Sequence, residues 1–201
     1  MSQMTNPGRL IIISGPSGSG KSTVVQRLLA ECHLPLELSV SATTRSPRPG
    51  EIDGKDYHFL SHKSFTQKRE AGEFLEAKEV FGLGTWYGTL RSVVSAGLNQ
   101  GKWVILEIDV QGALVVLRDQ PQAITIFVHP GSMEELENRL RKRGTESPEA
   151  IQRRLDVADQ EMALKGHYTH EIINQEINNT VHQLCTLLTQ YHGETIPCSK
   201  N

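Results

Sequence analysis

Short runs of apolar residues recur along the chain and alternate with stretches of helical period. The runs are "RLIIIS" at 9–14, "LELSV" at 36–40, "WVILEID" at 103–109, "AITIFVH" at 123–129 and "EIIN" at 171–174. Runs this short and this apolar fit strands buried on both faces, with the helices between them covering those faces. The pattern predicts an α/β fold around a mainly parallel sheet. Behind the first run, Val24, Val25, Leu28 and Leu29 share one face of a helix. Ser132 and Glu135 have capping-box spacing at the head of "SMEELENRLRKRG", and Gly144 closes that helix. Ser147 followed by Pro148 opens another, with Ile151, Leu155, Ala158 and Met162 on one side. A last helix runs from about Asn179 to Tyr191 and carries Val181, Leu184 and Leu188.

Between Val40 and Ser92 the pattern changes. "KDYHFLS" and "EFLEAKEV" read as short strands flanking a short helix, as an inserted subdomain would. The expected organisation is a core of residues 1–40, 93–133 and 166–201, an insertion at 41–92, and a helical segment at 134–165.

Composition narrows the partners. At 201 residues the chain can bury a sizeable core, and a net charge of -2 gives no bulk attraction to nucleic acid or an anionic membrane. Any anion site must be local. No apolar stretch approaches the roughly 20 residues of a membrane helix, and "MSQMTNPGRL" lacks the apolar core of a secretory signal. The expectation is a soluble, cytoplasmic protein, monomeric or homo-oligomeric. Cys32, Cys185 and Cys198 are odd in number and lack zinc spacing, which argues against a disulfide framework or a metal knuckle.

The stretch "LIIISGPSGSGKSTVVQRLLA" carries the first chemistry. Gly15, Gly20, Lys21 and Ser22 complete G-x-x-x-x-G-K-[ST], with an apolar run before and a helical pattern after. Pro16, Ser17, Gly18 and Ser19 fill the loop, and Thr23 continues the first helical turn. Glycines let backbone N–H groups turn toward phosphate oxygens, and the helix N-terminus adds its positive end. Lys21 would reach the β and γ phosphates, and Ser22 would ligate magnesium. A phosphate loop alone does not choose among GTPases, ATPase motors and small-molecule kinases.

"SVSATTRSPRPGEIDGKDYHF" does choose. Arg45 and Arg48 stand three apart, with Pro47 and Pro49 holding the backbone extended. Two guanidinium forks on a stiff support suit a second, separate phosphate.

With these blocks in hand, the chain closely resembles the guanylate kinases. "SGPSGSGKST", "SVSATTRSPRPGEIDGKDYHF", "EFLE", "EVFG", "YGT", "LEIDVQGA", "RLRKRGTES" and "RRLDVADQEM" stand in that family's order over nearly the whole length. The resemblance implies a phosphate-loop NTPase core with a GMP-binding subdomain at 41–92 and a lid at 134–165. It implies transfer of the γ-phosphoryl of ATP to GMP or dGMP, with Mg2+. Arg45, Arg48, Tyr57 and Tyr87 would hold the GMP phosphate. Ser41, Glu76, Thr89 and Asp109 would surround guanine, with Glu107 and Asp109 at the acidic end of a strand near the metal. Arg139, Arg143 and Arg154 match the lid arginines, and Asn174 the asparagine near adenine. The chain departs from the family in a longer loop at "EVFGLGTWYGT" and in "INQEI", which stands where an asparagine followed by two aspartates is usual.

The implied chemistry explains why no catalytic base stands out. The nucleophile would be a phosphate oxygen already ionised at neutral pH, so catalysis reduces to alignment and charge stabilisation. Three other readings are open to test: a guanylate-kinase-like interaction module without catalysis, a kinase for another nucleoside monophosphate, and a GTPase. The complete phosphate loop disfavours the first and the arginine pair the last, whose N-K-x-D motif the sequence lacks.

Overall fold

The computed structural model describes residues 8–80, 84–142 and 147–193. In chain order the first elements are β1 (Arg9–Ser14), α1 (Lys21–Glu31), β2 (Leu36–Leu38), β3 (Ala42–Thr43), β4 (His58–Phe59), α2 (His62–Glu70), β5 (Phe74–Val80) and β6 (Thr85–Leu90). They are followed by α3 (Arg91–Asn99), β7 (Trp103–Glu107), α4 (Val110–Asp119), β8 (Ile124–His129), α5 (Met133–Lys142), α6 (Pro148–Met162), β9 (His170–Ile173) and α7 (Ile177–Gly193). The chain forms two compact units. One combines β1 with Pro35–Thr125, and the other combines Gly15–Leu34 with the chain from Ile126 onward.

In the first unit β1, β2 and β7 run parallel, with Ile11 opposite Ile105 and Leu36 opposite Trp103. Ile11, Ile12 and Ile13 are fully buried, as an uninterrupted apolar run requires. Helix α3 lies against β7 at Gly97, where a Cβ would come within 2.7 Å of Val104 Cγ2. Only a glycine permits that approach.

The same unit holds a four-stranded sheet in the order β4-β3-β6-β5, antiparallel at β3–β6 and β5–β6. Its core is Ala42, Phe65, Phe74 and Leu90, with Phe65 stacked on Phe74 at 4.5 Å. The two strands and short helix expected from "KDYHFLS" and "EFLEAKEV" are β4, α2 and β5. Ser61 caps α2 by accepting from the N–H of Ser64.

In the second unit β8 and β9 pair in parallel, Ile126 opposite His170, while α1 packs on α7. Helices α5 and α6 join through Leu136, Leu140, Ile151 and Ala158. Ser147 accepts from the N–H of Ala150, and Pro148 takes the first helical position, where a missing N–H costs nothing. Ser132 Oγ accepts from the N–H of Glu135 at 3.1 Å. Gly144, expected to close α5, lies outside the described residues. The last helix extends about one residue pair beyond its expected bounds at each end.

This is the expected α/β architecture, parallel strands flanked by helices. Among the described residues, no helix is long and apolar enough to cross a membrane. The stacked aromatic pair sets the expectation for stability. Phe65→Ala should cost about 3–5 kcal/mol, the usual range for emptying a buried phenyl site. A shift of less than about 1 kcal/mol in urea unfolding would remove Phe65 from the core of the four-stranded sheet.

Candidate functional site

The loop between β1 and α1 is shaped by three left-handed glycines, Gly15 (φ 137), Gly18 (φ 98) and Gly20 (φ 88). A Cβ on Gly15 would stand 2.0 Å from the carbonyl oxygen of Val128, so the loop root touches β8 backbone to backbone. At the tip, a Cβ on Gly18 would come 3.0 Å from Leu140 and 3.1 Å from Leu136, the apolar face of α5. Gly20 is the N-cap of α1, and Ser22 and Thr23 are exposed on the first turn.

The carbonyl groups of this loop are taken up by side chains. Lys21 Nζ donates to the carbonyls of Gly15 (2.7 Å) and Pro16 (2.9 Å). Asn174 Nδ2 donates to the carbonyl of Ser19 at 2.8 Å, while Thr180 Oγ1 donates to Asn174 Oδ1. Arg139 donates to the carbonyls of Asn174 (2.7 Å) and Ser19 (3.5 Å) and is paired with Glu135. Arg154 donates to Ser17 Oγ at 2.7 Å. Arg139 and Arg154 therefore both reach the loop. Asn174, expected beside adenine, is 6% exposed and turns its amide to the loop backbone. Arg143 lies outside the described residues. Ser19 Oγ is buried with no hydrogen-bond partner among the described residues, a polar atom left for something the loop would hold.

The first unit contains a cavity of about 310 Å³. Ser41, Tyr57, Glu76, Tyr87, Glu107 and Asp109 line it, so six of the residues expected around the acceptor nucleotide converge there. Strand period explains part of this, since Glu76, Lys78 and Val80 occupy one face of β5 and all three line the cavity. Thr89, directly across from Glu76 in the register, donates its hydroxyl to Glu76 Oε1 at 2.7 Å. Burial pushes the Glu76 carboxyl above its ordinary value, and the nearby Asp109 adds to the rise. The Thr89 hydroxyl works against it by stabilising the ionised form.

Beside the cavity Arg45 sits among aromatic rings. Its Nε donates to Tyr87 Oη at 3.2 Å, and its guanidinium lies 5.3 Å from the centre of the Tyr57 ring. Tyr57 and Tyr87 meet edge to face at 5.8 Å. Glu51 receives Arg45 in a two-pronged pair at 2.8 and 2.9 Å and also accepts the backbone N–H of Arg48. Those bonds, the Arg45 guanidinium first, bring the Glu51 carboxyl down to about 2. Arg48 itself is exposed.

Asp109 Oδ1 accepts from the N–H of Gly112 and so caps α4, and its Oδ2 pairs with Lys78 Nζ at 2.8 Å. Sequence reasoning missed Lys78 and Glu51. Lys78 was signalled by the two-residue stride from Glu76, whereas Glu51 carries no local signal, because its partner lies six residues away around a turn. Among the described residues no group of three or more His, Cys, Asp and Glu side chains could hold a metal ion. Ser22 stands exposed in the first turn of α1, one hydroxyl at the helix head. A single hydroxyl there would suit magnesium, which is usually held by one or two protein groups together with phosphate oxygens.

Comparison with known proteins gives one consistent relationship. A family model described as guanylate kinase matches residues 7–191. A guanylate kinase of Rhodopirellula baltica is 58% identical over 200 residues, covering 99% of this chain and 95% of that protein. One from Clostridium perfringens is 45% identical over 183 residues, 91% of this chain and 83% of that protein. The crystal structure of guanylate kinase from Anaplasma phagocytophilum is 32% identical with a TM-score of 0.74, over 94% of this chain and 89% of that one.

The opposed influences on Glu76 give a titration with a definite sign. A carboxyl raised in the folded state favours folding fully below the ordinary value of 4.5, and this contribution is lost as pH rises through the raised value. Thr89→Val removes the hydroxyl that favours the ionised form. The Glu76 carboxyl should therefore titrate at higher pH in the variant than in the parent, read directly by carboxyl carbon NMR. An unchanged or lower midpoint would show that the hydroxyl does not support the ionised carboxylate.

Proposed function

The chain belongs to the guanylate kinase family and is an ATP:GMP phosphotransferase, and from that premise we propose how its residues divide the reaction. ATP lays its phosphates along the loop Gly15, Pro16, Ser17, Gly18, Ser19 and Gly20. Lys21 exchanges the carbonyls of Gly15 and Pro16 for the β and γ phosphates, a cation moving from neutral acceptors to charged ones. Ser22 would hold Mg2+ together with phosphate oxygens, with Thr23 beside it. When bound, the ion would supply positive charge to the phosphates of ATP. Asn174 acts through the loop it fastens. A second cavity of about 550 Å³, walled by Gly131, Ser132, Arg139 and Gln175, is the place for adenine.

GMP occupies the cavity of the first unit. Arg45, Arg48, Tyr57 and Tyr87 take its phosphate, and Glu76 takes guanine. Guanine offers two adjacent donors, N1–H and the N2 amino group, which an ionised carboxylate accepts side by side. Adenine instead presents a lone pair at N1. Ser41, Asp109 and Glu107 complete the surroundings of the nucleoside, and dGMP fits the same contacts. The observation that carries this reading is Glu76, a half-buried carboxylate inside the cavity and hydrogen-bonded by Thr89. A site built on such an acceptor rejects a base that cannot donate to it by up to about 10⁴ to 10⁵.

The nucleophile is an oxygen of the GMP phosphate, and no residue need remove a proton. Arg139, Arg143 and Arg154, on a lid at 134–165, supply positive charge to the transferred group, with 41–92 as the GMP-binding subdomain. Soluble nucleotide substrates support a cytoplasmic location.

Purified protein with ATP and Mg2+ should release ADP with GMP or dGMP and not with AMP, CMP or UMP. Comparable turnover of AMP would sink the assignment of Glu76. Lys21→Met should lower kcat by about 10²-fold or more, the scale of losing one preorganised electrostatic partner. GMP affinity should hold, because Lys21 is not among the residues lining the acceptor cavity. Wild-type turnover by this variant would contradict the phosphate-loop reading.

A further inference from the structure

The lysine on β5 is not absorbed by the roles above. Lys78 lines the acceptor cavity in company with three carboxylates, Glu76, Glu107 and Asp109, and among the described residues lining it Lys78 is the one Lys or Arg. A phosphate monoester entering that cavity carries a charge of about -1.5 to -2 at neutral pH. Arg45, the nearest guanidinium of the clamp, is already held in two prongs by Glu51. The acidic wall therefore needs a cation of its own.

The strand register says which end of the nucleotide this cation serves. Glu76 stands opposite Thr89, and one step along the same face Lys78 stands opposite Tyr87. Directly opposed residues of an antiparallel pair have Cβ atoms about 5 Å apart, so the two side chains leave the sheet together. The Tyr87 hydroxyl is bonded to Arg45. Glu76·Thr89 thus marks the base end of the cavity, and Lys78·Tyr87 the end where the clamp gathers. In the structure the ammonium rests on Asp109 Oδ2, with the two side chains 44% and 40% exposed. An ion pair so open to water holds weakly, and an ammonium has three donors on a flexible stem.

We propose that Lys78 is a further phosphate-binding residue of the acceptor site, moving from Asp109 to the phosphate of the incoming nucleoside monophosphate. The proposal rests on the reading of this cavity as the GMP site. The exchange replaces a singly charged partner by one of nearly twice the charge. It also frees Asp109 Oδ2 while Oδ1 continues to cap α4. A purely structural Lys78 would only fasten the head of α4 to β5, and a base-reading Lys78 would act at the other end of the ligand. Both of those roles ignore the phosphate.

Dissociation constants for GMP and for guanosine, which lacks the phosphate, separate the roles. Lys78→Met, with Lys78→Gln as a second neutral variant should the first fold poorly, is expected to weaken GMP by about tenfold or more and leave guanosine unchanged. Lys78→Arg should keep most of the GMP affinity. ATP affinity and the thermal midpoint serve as controls on folding. Equal weakening of GMP and guanosine, or no change in either, would overturn the proposal. Arg45→Ala forms the independent arm. If it too leaves the GMP-to-guanosine ratio untouched, the cavity is not the GMP phosphate site. If it collapses the ratio while the Lys78 variants do not, only the role of Lys78 falls.

Discussion

The donor half of the molecule depends on keeping the carbonyl groups of one short loop occupied. A peptide loop presents as many acceptors as donors, and an anion tolerates only the donors. Here the acceptors are claimed by cations and an amide: Gly15 and Pro16 by Lys21, and Ser19 by Asn174 and Arg139. The glycine conformations make the path possible, and these bonds hold it in place. Much of the second unit is organised around that requirement. Leu136 and Leu140 of α5 pack beneath Gly18, and β8 presses on Gly15 so closely that no side chain fits.

How much of this the sequence discloses depends on whether the determinant is local. The phosphate loop, the apolar strands, Pro148 at the start of α6 and the Ser147 cap were legible, because each is set by residues a few positions apart. Helix α4 was not, since "ALVVL" reads equally as a buried strand and its start is fixed by Asp109, a residue with a second claim on it. Helix α3 begins without a side-chain cap. The convergence of Glu76, Tyr57 and Tyr87 on one cavity came from family resemblance, with strand period alone accounting for Glu76 and Lys78 sharing a face. Asn174 shows the converse case. Its place in the chain was expected, but its partners, Ser19 and Thr180, are fixed by packing at long range.

The acceptor half solves a different problem, that of keeping charged groups oriented before their ligand arrives. An arginine left without partners in a half-buried site loses hydration for nothing, so Glu51 satisfies it with the planar two-pronged geometry that a phosphate would also use. The same pairing sustains the low carboxyl value of Glu51 and holds the guanidinium against the Tyr57 ring. The pairing thus orients the guanidinium, and on the proposed assignment an incoming phosphate competes with Glu51 for it.

Glu76 occupies the opposite situation. Its carboxylate is placed where burial disfavours the charge, and the bonds from Thr89 and the charge of Lys78 only partly offset that burden. A ligand that donates two adjacent N–H groups relieves it, while one presenting a lone pair worsens it, so selectivity follows from the discomfort of the free site. The base end of the cavity and the arginine beside it therefore use opposite strategies. Arg45 and Glu51 are content and must be outbid, whereas Glu76 is strained and must be rescued. On the proposed assignment, binding at the base end helps meet the demand at the phosphate end, which would tie recognition of guanine to the presentation of its phosphate for transfer.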